Sequence, residues 1–445
     1  MSEPADALPQ EGEWRRLSPL SPVVRAGAAV LGLAVILPNL VANGLDPRRP
    51  GQRVVAIAVP IAVLALSIVA AVVSWLVTRW RIAQGNLQIE TGLIRRQSFR
   101  VPLSRIQAID VVAPLTARLL GLAEVRIVSA GRGEEHARLA YLRTEQANVI
   151  RSQLLALAHG LTADTPEPQS YPLLHVPPQR LAAALMLRGA TLLPLSALVV
   201  LIGIGVAVSS AREGISALLG GVFAGLFVHI VSVVQAFNAE FDFRISEGPD
   251  GFRLDRGLLQ TRHETIPFGR IQAVRIVEPL LWRPFGWCRL EVDVARQHVS
   301  RRADNAAHVV ARVLVPVAAR EHVMFVLARV IPGATPVPPA SAKAPRRARL
   351  KAPLSAHLLA AWDDGSNLYA RTGRVTASTV ILPLSKLQSV HISSGPVQRA
   401  LRLASLHGVT AGHRWSGRAL CRDEHEATEM LWRLIDMARA ARRPA

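Results

Sequence analysis

Only two cysteines, Cys288 and Cys421, stand in the 445 residues, and no CxxC occurs. A disulfide framework and a cysteine-ligated zinc site are thereby excluded, and the chain suits a reducing compartment. Aromatic residues amount to 5%. That is too few to interleave with the basic residues as stacking platforms, so nucleic acid is not expected as a partner. Acidic residues are short as well, 32 against 52 Lys and Arg, leaving a net charge of +20. GxSxG is missing. AGRGEE at 130–135 lacks GxGxxG and the GK[ST] of a phosphate loop and reads as a hairpin. HEATE at 425–429 lacks the second histidine of a zinc-protease helix and reads as a solvated helix face. No carboxylate pair is tied to a pocket by spacing. Catalytic residues, cofactor sites and metal ligands are therefore all expected to be none, and the protein is read as no enzyme.

What the chain has in quantity is apolar residues, 50%, beside that positive charge. The combination suggests membrane segments next to basic aqueous parts. Four runs, 24–41, 54–77, 190–208 and 215–234, approach the roughly 20 residues a spanning helix needs. Short connectors, NGLDPRRPGQR at 43–53 and SSAREG at 209–214, would join them into two hairpins. The first run is not read as a cleaved signal, because a second run follows at once. Arg15, Arg16, Arg25, Arg79, Arg81, Arg180, Arg188 and Arg244 flank the runs on one side, against Arg48, Arg49, Arg53 and Arg212 at the hairpin tips. The expectation is a multi-pass protein of the cell (plasma) membrane with its soluble domains cytoplasmic. Trp75 and Trp80 are expected at the membrane–water boundary.

The segment PLSRIQAIDVVAPLTARLLGLAEVRI at 102–127 returns without gaps at 267–292 and, more altered, at 383–408. A glycine stands at the same distance before each copy: Gly92, Gly257 and Gly373. Arg105, Arg270 and Lys386 correspond, as do Gln107, Gln272 and Gln388, and Arg118, Arg283 and Arg399. A catalytic motif would normally occur once, so this is a repeated domain. In copy one the pattern predicts a strand over 86–90 with a turn at Thr91-Gly92 and a strand pair over 100–112. It then predicts a helical turn over 114–121, strands over 124–128 and 137–142, and a helix over 144–157 capped by a threonine. Terminal helices at 319–330 and 423–438 close the other copies.

A glycine, then P-L-S-R-I-Q-x-[IV], then R-x-x-G and a strand, flanked by apolar pairs, resembles the bacterial pleckstrin-homology-like membrane-flanked domain. The resemblance covers roughly 80–158, 240–331 and 362–438. Copy three departs most, with Arg402 in place of the glycine and Gly395-Pro396 shifting the turn. It implies an α+β membrane protein: four transmembrane helices in two hairpins plus three small pleckstrin-homology-like domains, each a β-barrel or sandwich with a C-terminal helix. The expected boundaries are an N-terminal cytoplasmic segment 1–23, helix pair 24–77, domain 78–160, Pro-rich linker 161–188, helix pair 189–236, domain 237–332, Pro-rich basic linker 333–361 and domain 362–438.

Arg105 with Gln107 and Arg270 with Gln272 could bind lipid phosphate or a partner backbone; alternation with buried neighbours makes a structural role the stronger reading. Arg118 and Arg283 are weighed the same way. The linker between copies two and three carries Lys343, Arg346, Arg347, Arg349 and Lys351. As an extended tether it could gain roughly 1 kcal/mol per basic residue at an anionic leaflet. The expected partners are membrane lipids and a protein partner or homo-oligomer. The function expected is a scaffold whose domains bind partner proteins or the lipid surface, the alternative being a component of a membrane transport or export system.

Overall fold

The computed structural model describes residues 13–24, 27, 50–92, 97–129, 137–158, 160–162, 165, 169–188, 212–295, 312–412, 415 and 417–442. The chain divides into two compact units, residues 1–169 with 259–265 and residues 170–258 with 266–445.

In the first unit, β1 (Arg15–Arg16) is followed by α1 (Pro50–Val77), which leads into β2 (Arg79–Ala83), β3 (Asn86–Thr91) and β4 (Gln97–Pro102). These strands form an antiparallel sheet in the order β1-β2-β3-β4. Alternation places Trp80, Ile82, Leu87 and Ile89 on its buried side. A 3-10 turn at Leu103–Arg105 then leads to β5 (Ile106–Ala113), α2 (Leu115–Leu119), β6 (Leu122–Ser129), β7 (Ala137–Arg143) and α3 (Thr144–Ala158). Ala147, Ile150 and Leu154, at helical spacing, set α3 on Ile109, Val111, Val125 and Ile127. The stretch expected as one strand pair over 100–112 is thus the end of β4, a turn and nearly all of β5. The two strands pair with β3 and β6, not with each other.

In the second unit, β8 (Tyr171–Val176), α4 (Pro178–Met186) and α5 (Arg212–Glu240) precede β9 (Phe243–Gly248) and β10 (Gly251–Arg256). The third strand of this copy, β11 (Thr261–Ile266), lies almost wholly in the first unit. The copy continues through β12 (Ile271–Glu278), a 3-10 segment at Leu280–Phe285, β13 (Trp287–Val294), β14 (Arg312–Ala319) and α6 (Arg320–Val330). Copy three follows α7 (Ala348–Lys351). It comprises β15 (Ala360–Asp363), β16 (Asn367–Gly373), β17 (Ala377–Pro383), β18 (Leu387–Ser393), α8 (Pro396–Ala400), β19 (Leu403–Thr410), β20 (Gly417–Asp423) and α9 (Glu424–Ala440).

Two of the repeated glycine features have a backbone cause. Gly92, Gly257 and Gly373 all have positive φ, between 100° and 146°. A Cβ on Gly373 would stand 2.1 Å from the Thr376 carbonyl oxygen. The residue after the short helical turn is left-handed in every copy: Gly121 (φ 65°), Gly286 (φ 63°) and Arg402 (φ 52°). Its carbonyl accepts the backbone N–H that opens the terminal helix, from Thr144, Arg320 and Glu424 respectively. Arg402 therefore departs from the repeat in chemistry and not in geometry. Thr144 does not cap α3 as expected; its hydroxyl donates to the same Gly121 carbonyl at 3.1 Å.

Three expectations are corrected here. Among the described residues no sheet closes into a barrel; each is open, with terminal strands at both sides. Four transmembrane helices are not found: among the described residues one helix, Ala58–Val77, is long and apolar enough to cross a membrane. On α5, the apolar stretch Gly225–Glu240 falls short of a crossing length, and the runs 28–41 and 190–208 lie outside the described residues. The multi-pass placement in the cell membrane falls with that count. Finally, Trp80 is no boundary residue. It is 2% exposed in the core of copy one, because β2 turns it inward, while Trp75 donates its indole N–H to the Leu17 carbonyl at 3.0 Å.

Candidate interaction surfaces

The copies are joined by strand pairing. Within the first unit β11, the third strand of copy two, lies antiparallel along β5, the fourth strand of copy one, with Thr261 opposite Ala113, Arg262 opposite Val112 and His263 opposite Val111. Within the second unit β17, the third strand of copy three, lies along β12, with Ala377 opposite Glu278, Ser378 opposite Val277 and Thr379 opposite Ile276. Mapped through the repeat, these are the same positions, so both joints have one register. Register is strongly specified where a face is buried, since a one-residue slip would reverse every side chain.

Two of the repeated basic residues act at the second joint. Lys386, on the 3-10 turn of copy three, donates to the Gly269 carbonyl on the corresponding turn of copy two at 3.2 Å. Arg283 reaches the other way and donates to the Val375 carbonyl at the β16–β17 turn at 3.0 Å. Arg270 is half-buried, and Gln272 is buried and donates to the Arg270 carbonyl at 3.4 Å. Arg105, Arg118 and Gln388 are exposed; the side chain of Gln107 lies outside the described residues. The structure thus brings Arg283 and Lys386 together with a neighbouring copy. Sequence reasoning identified the residues but not the neighbour each one touches.

A buried ion network, absent from the sequence reading, backs the second joint. The Arg289 guanidinium holds both carboxylate oxygens of Glu240, at the end of α5, at 3.0 and 2.5 Å, and Glu291 at 2.8 Å. Arg275 donates to Glu291 at 2.9 Å and lies 4.5 Å from the Trp415 ring centroid in copy three. Burial alone would lower the pKa of Arg289, but the Glu240 and Glu291 carboxylates outweigh it and push the value up. Burial would raise Glu291, yet Arg289 and Arg275 pull it below the ordinary carboxylate value. Cys288 is buried, and desolvation, followed by the Glu278 charge, pushes its thiol up to about 12. It is no nucleophile.

A different surface lies where α1 ends. Trp14, Arg16, Leu76, Val77, Arg79, Glu90, Thr91 and Gly92 line a cavity of about 440 Å³. The Trp14 ring has the guanidinium groups of Arg79 and Arg81 at 4.5 and 4.4 Å from its centroid. Arg79 is paired with Glu90 at 2.7 Å, whereas Arg16 is exposed and has no side-chain partner among the described residues. The sequence signal was the run of arginines beside an apolar helix; the distance along the chain from Trp14 to Arg79 hid the site.

The basic linker is not a free tether. Ala342 and Ala348 are buried, Leu359 packs with Leu403 and Cys421, and Arg422 donates to the Ala342 carbonyl. Alanine and proline, taken as signs of an extended chain, here provide small surfaces that fit against copy three. Arg347 pairs with Asp423, and Lys343, Arg346, Arg349 and Lys351 remain exposed.

Three repeats, each with strand meanders, a short helical turn after the fourth strand and a terminal helix, define a protein made of PH-like modules. The chain belongs to the bacterial PH domain family, whose pattern matches residues 28–158, 189–334 and 344–442. It is similar to the UPF0699 transmembrane protein YdbT of Bacillus subtilis (strain 168), 25% identical over 272 residues, which cover 53% of this chain and 53% of that protein. The chain therefore spans about half the length of that relative. No solved structure matches it. Family membership is consistent with a non-enzymatic protein, and among the described residues no group of three or more His, Cys, Asp or Glu could hold a metal ion.

Proposed function

We propose that the protein is a membrane-attached, non-catalytic scaffold. Helix Ala58–Val77 anchors it, and its three PH-like modules present cationic surface to anionic lipid while binding protein partners through strand edges. The observation that carries the lipid reading is the cavity at the end of α1, with Arg16, which has no side-chain partner among the described residues, beside Trp14 and Arg79. A guanidinium next to an amphipathic ring at the foot of an apolar helix suits a lipid phosphate, because the fork of donors matches phosphate oxygens. The exposed Lys343, Arg346, Arg349 and Lys351 would add electrostatic attraction. The name of the similar Bacillus protein, a transmembrane protein, supports the attachment.

Native mass spectrometry of the full chain, delipidated and then titrated with phosphatidylglycerol or phosphatidylcholine, tests this. Retention of phosphatidylglycerol by the wild type, and its loss in Arg16→Gln/Arg79→Gln, is expected. Equal retention of both lipids, or no change in the double variant, would remove the lipid reading.

A further inference from the structure

We propose that the chain docks head to tail with a second copy of itself through a third joint of the same kind, β4 of one molecule pairing with β18 of the next. The inference does not rest on the lipid reading. β4 is the third strand of copy one and is terminal in its sheet; β18 is the fourth strand of copy three and is terminal in its own. These are the two strand types that meet, in one register, at both internal joints. An array built from repeats leaves one unused edge of each type, and the two are complementary by construction. Contacts between unlike surfaces of identical chains continue head to tail or close into a ring.

The side chains at the open edges carry the same signature. At the internal joints the inward residues of the fourth strand, Ile109 and Val111 in copy one and Val274 and Ile276 in copy two, are buried. Their counterparts Val390 and Ile392 keep apolar character but are half-buried. The clamping residues are present and idle. Lys386 reaches back to the preceding copy; its counterpart Arg105 is exposed. Arg283 reaches forward to the following copy; its counterpart Arg399 is exposed. Neither Arg105 nor Arg399 has a side-chain partner among the described residues.

The outer face differs in one informative way. On the covered strands a pair of opposite charges sits across β5–β6 and β12–β13, Asp110 opposite Arg126 and Arg275 opposite Glu291. The same position across β18–β19 holds His391 opposite His407, their rings stacked with centroids 5.0 Å apart, and Ser393 within 2.9 Å of His407. A stacked imidazole pair leaves a surface without the fixed charge of the internal joints. In the register of the internal joints Phe99 of β4 falls opposite His391, so this face can receive β4 without burying an unmatched charge. The exposed Arg100 falls opposite Val390 on the other face.

Transferring the internal register places Ser98 of one molecule opposite Ile392 of the next. Directly opposed residues in an antiparallel pair fall within disulfide reach. Two differently tagged full-length chains, one Ser98→Cys and the other Ile392→Cys, are co-expressed, and their membranes are oxidised; the native cysteines are both buried. The expected product carries both tags at doubled mass on a non-reducing gel. Pairing Ser98→Cys with Ser389→Cys, about 10 Å along the strand, should give little of it. Arg399→Ala or Arg105→Ala in the cysteine background should lower the yield about fivefold. Absence of the two-tag product, or equal yield from Ser389→Cys, overturns the proposal. So does a chain carrying both cysteines that forms only an internal cross-link with no gain in mass.

Discussion

At the scale of single residues, backbone geometry accounts for the repeat better than chemistry does. Arg402 occupies a left-handed position where the other copies have glycine. A non-glycine residue there costs roughly 1–2 kcal/mol. Arg402→Gly should therefore raise stability by about 1 kcal/mol in denaturant unfolding. Gly373→Ala should do the opposite by more than that, since its Cβ would collide with the Thr376 carbonyl. Glu291 gives a pH dependence. Its folded pKa lies below the ordinary value of 4.5, so the folded state holds its proton less readily than the unfolded chain. Its contribution is complete above pH 4.5 and is lost as the pH falls through the lowered folded value. Thermal unfolding across that window should show a slope toward acid that Glu291→Gln flattens. His407 acts in the same sense nearer neutrality: burial, then the charges of His391 and Arg418, lower its pKa from the ordinary 6.5. Stability from its neutral form is whole above pH 6.5 and declines as the pH falls below it.

At the scale of elements, the ion network and the clamps can be separated experimentally. Removing one partner of a buried pair strands a charge, so Arg289→Met or Glu240→Gln should each cost about 3–5 kcal/mol in unfolding. Lys386→Ala and Arg283→Ala remove hydrogen bonds near solvent and should cost only about 0.5–1.5 kcal/mol. Their effect should concentrate in faster amide exchange along β12 and β17, with β19 unchanged. The elements themselves were legible in the sequence, because alternation marks β3 and β6, helical spacing marks α3, and repeated glycines mark the turns. What the strands pair with was not legible. The fourth strands of copies one and two carry apolar residues on both faces, and only distant pairing decides which strand lies alongside. The same reason conceals the roles of Arg283 and Lys386, whose partners are backbone carbonyls that leave no trace in sequence. The linker was misread because alanine and proline are as suited to close packing as to an open tether.

At the scale of the whole molecule, the protein is an array in which neighbouring copies complete one another. Its surface cations are distributed along that array, on the linker and at the foot of α1. Replacing Lys343, Arg346, Arg349 and Lys351 by glutamine should weaken association of the full chain with anionic vesicles by roughly fivefold per residue at low salt, and less as salt rises. Co-sedimentation with phosphatidylglycerol vesicles measures it, and no change would confine lipid contact to the α1 cavity. Cys421, which by position alone invites labelling, is 4% exposed and should stay unreactive in the native protein.

The strand that crosses from copy two to copy one also imposes an order on synthesis. Thr265 donates its backbone N–H to Asp110, a contact spanning 155 residues. At roughly 5–20 residues per second, the β5 edge waits on the order of 8–30 s after it emerges for β11 to be made. During that time the apolar run at 190–208 and helix α5 leave the ribosome. Copy one therefore stays open through the synthesis of the 155 residues that separate Asp110 from Thr265, and its bare edge is exposed to pairing with a wrong strand until β11 arrives.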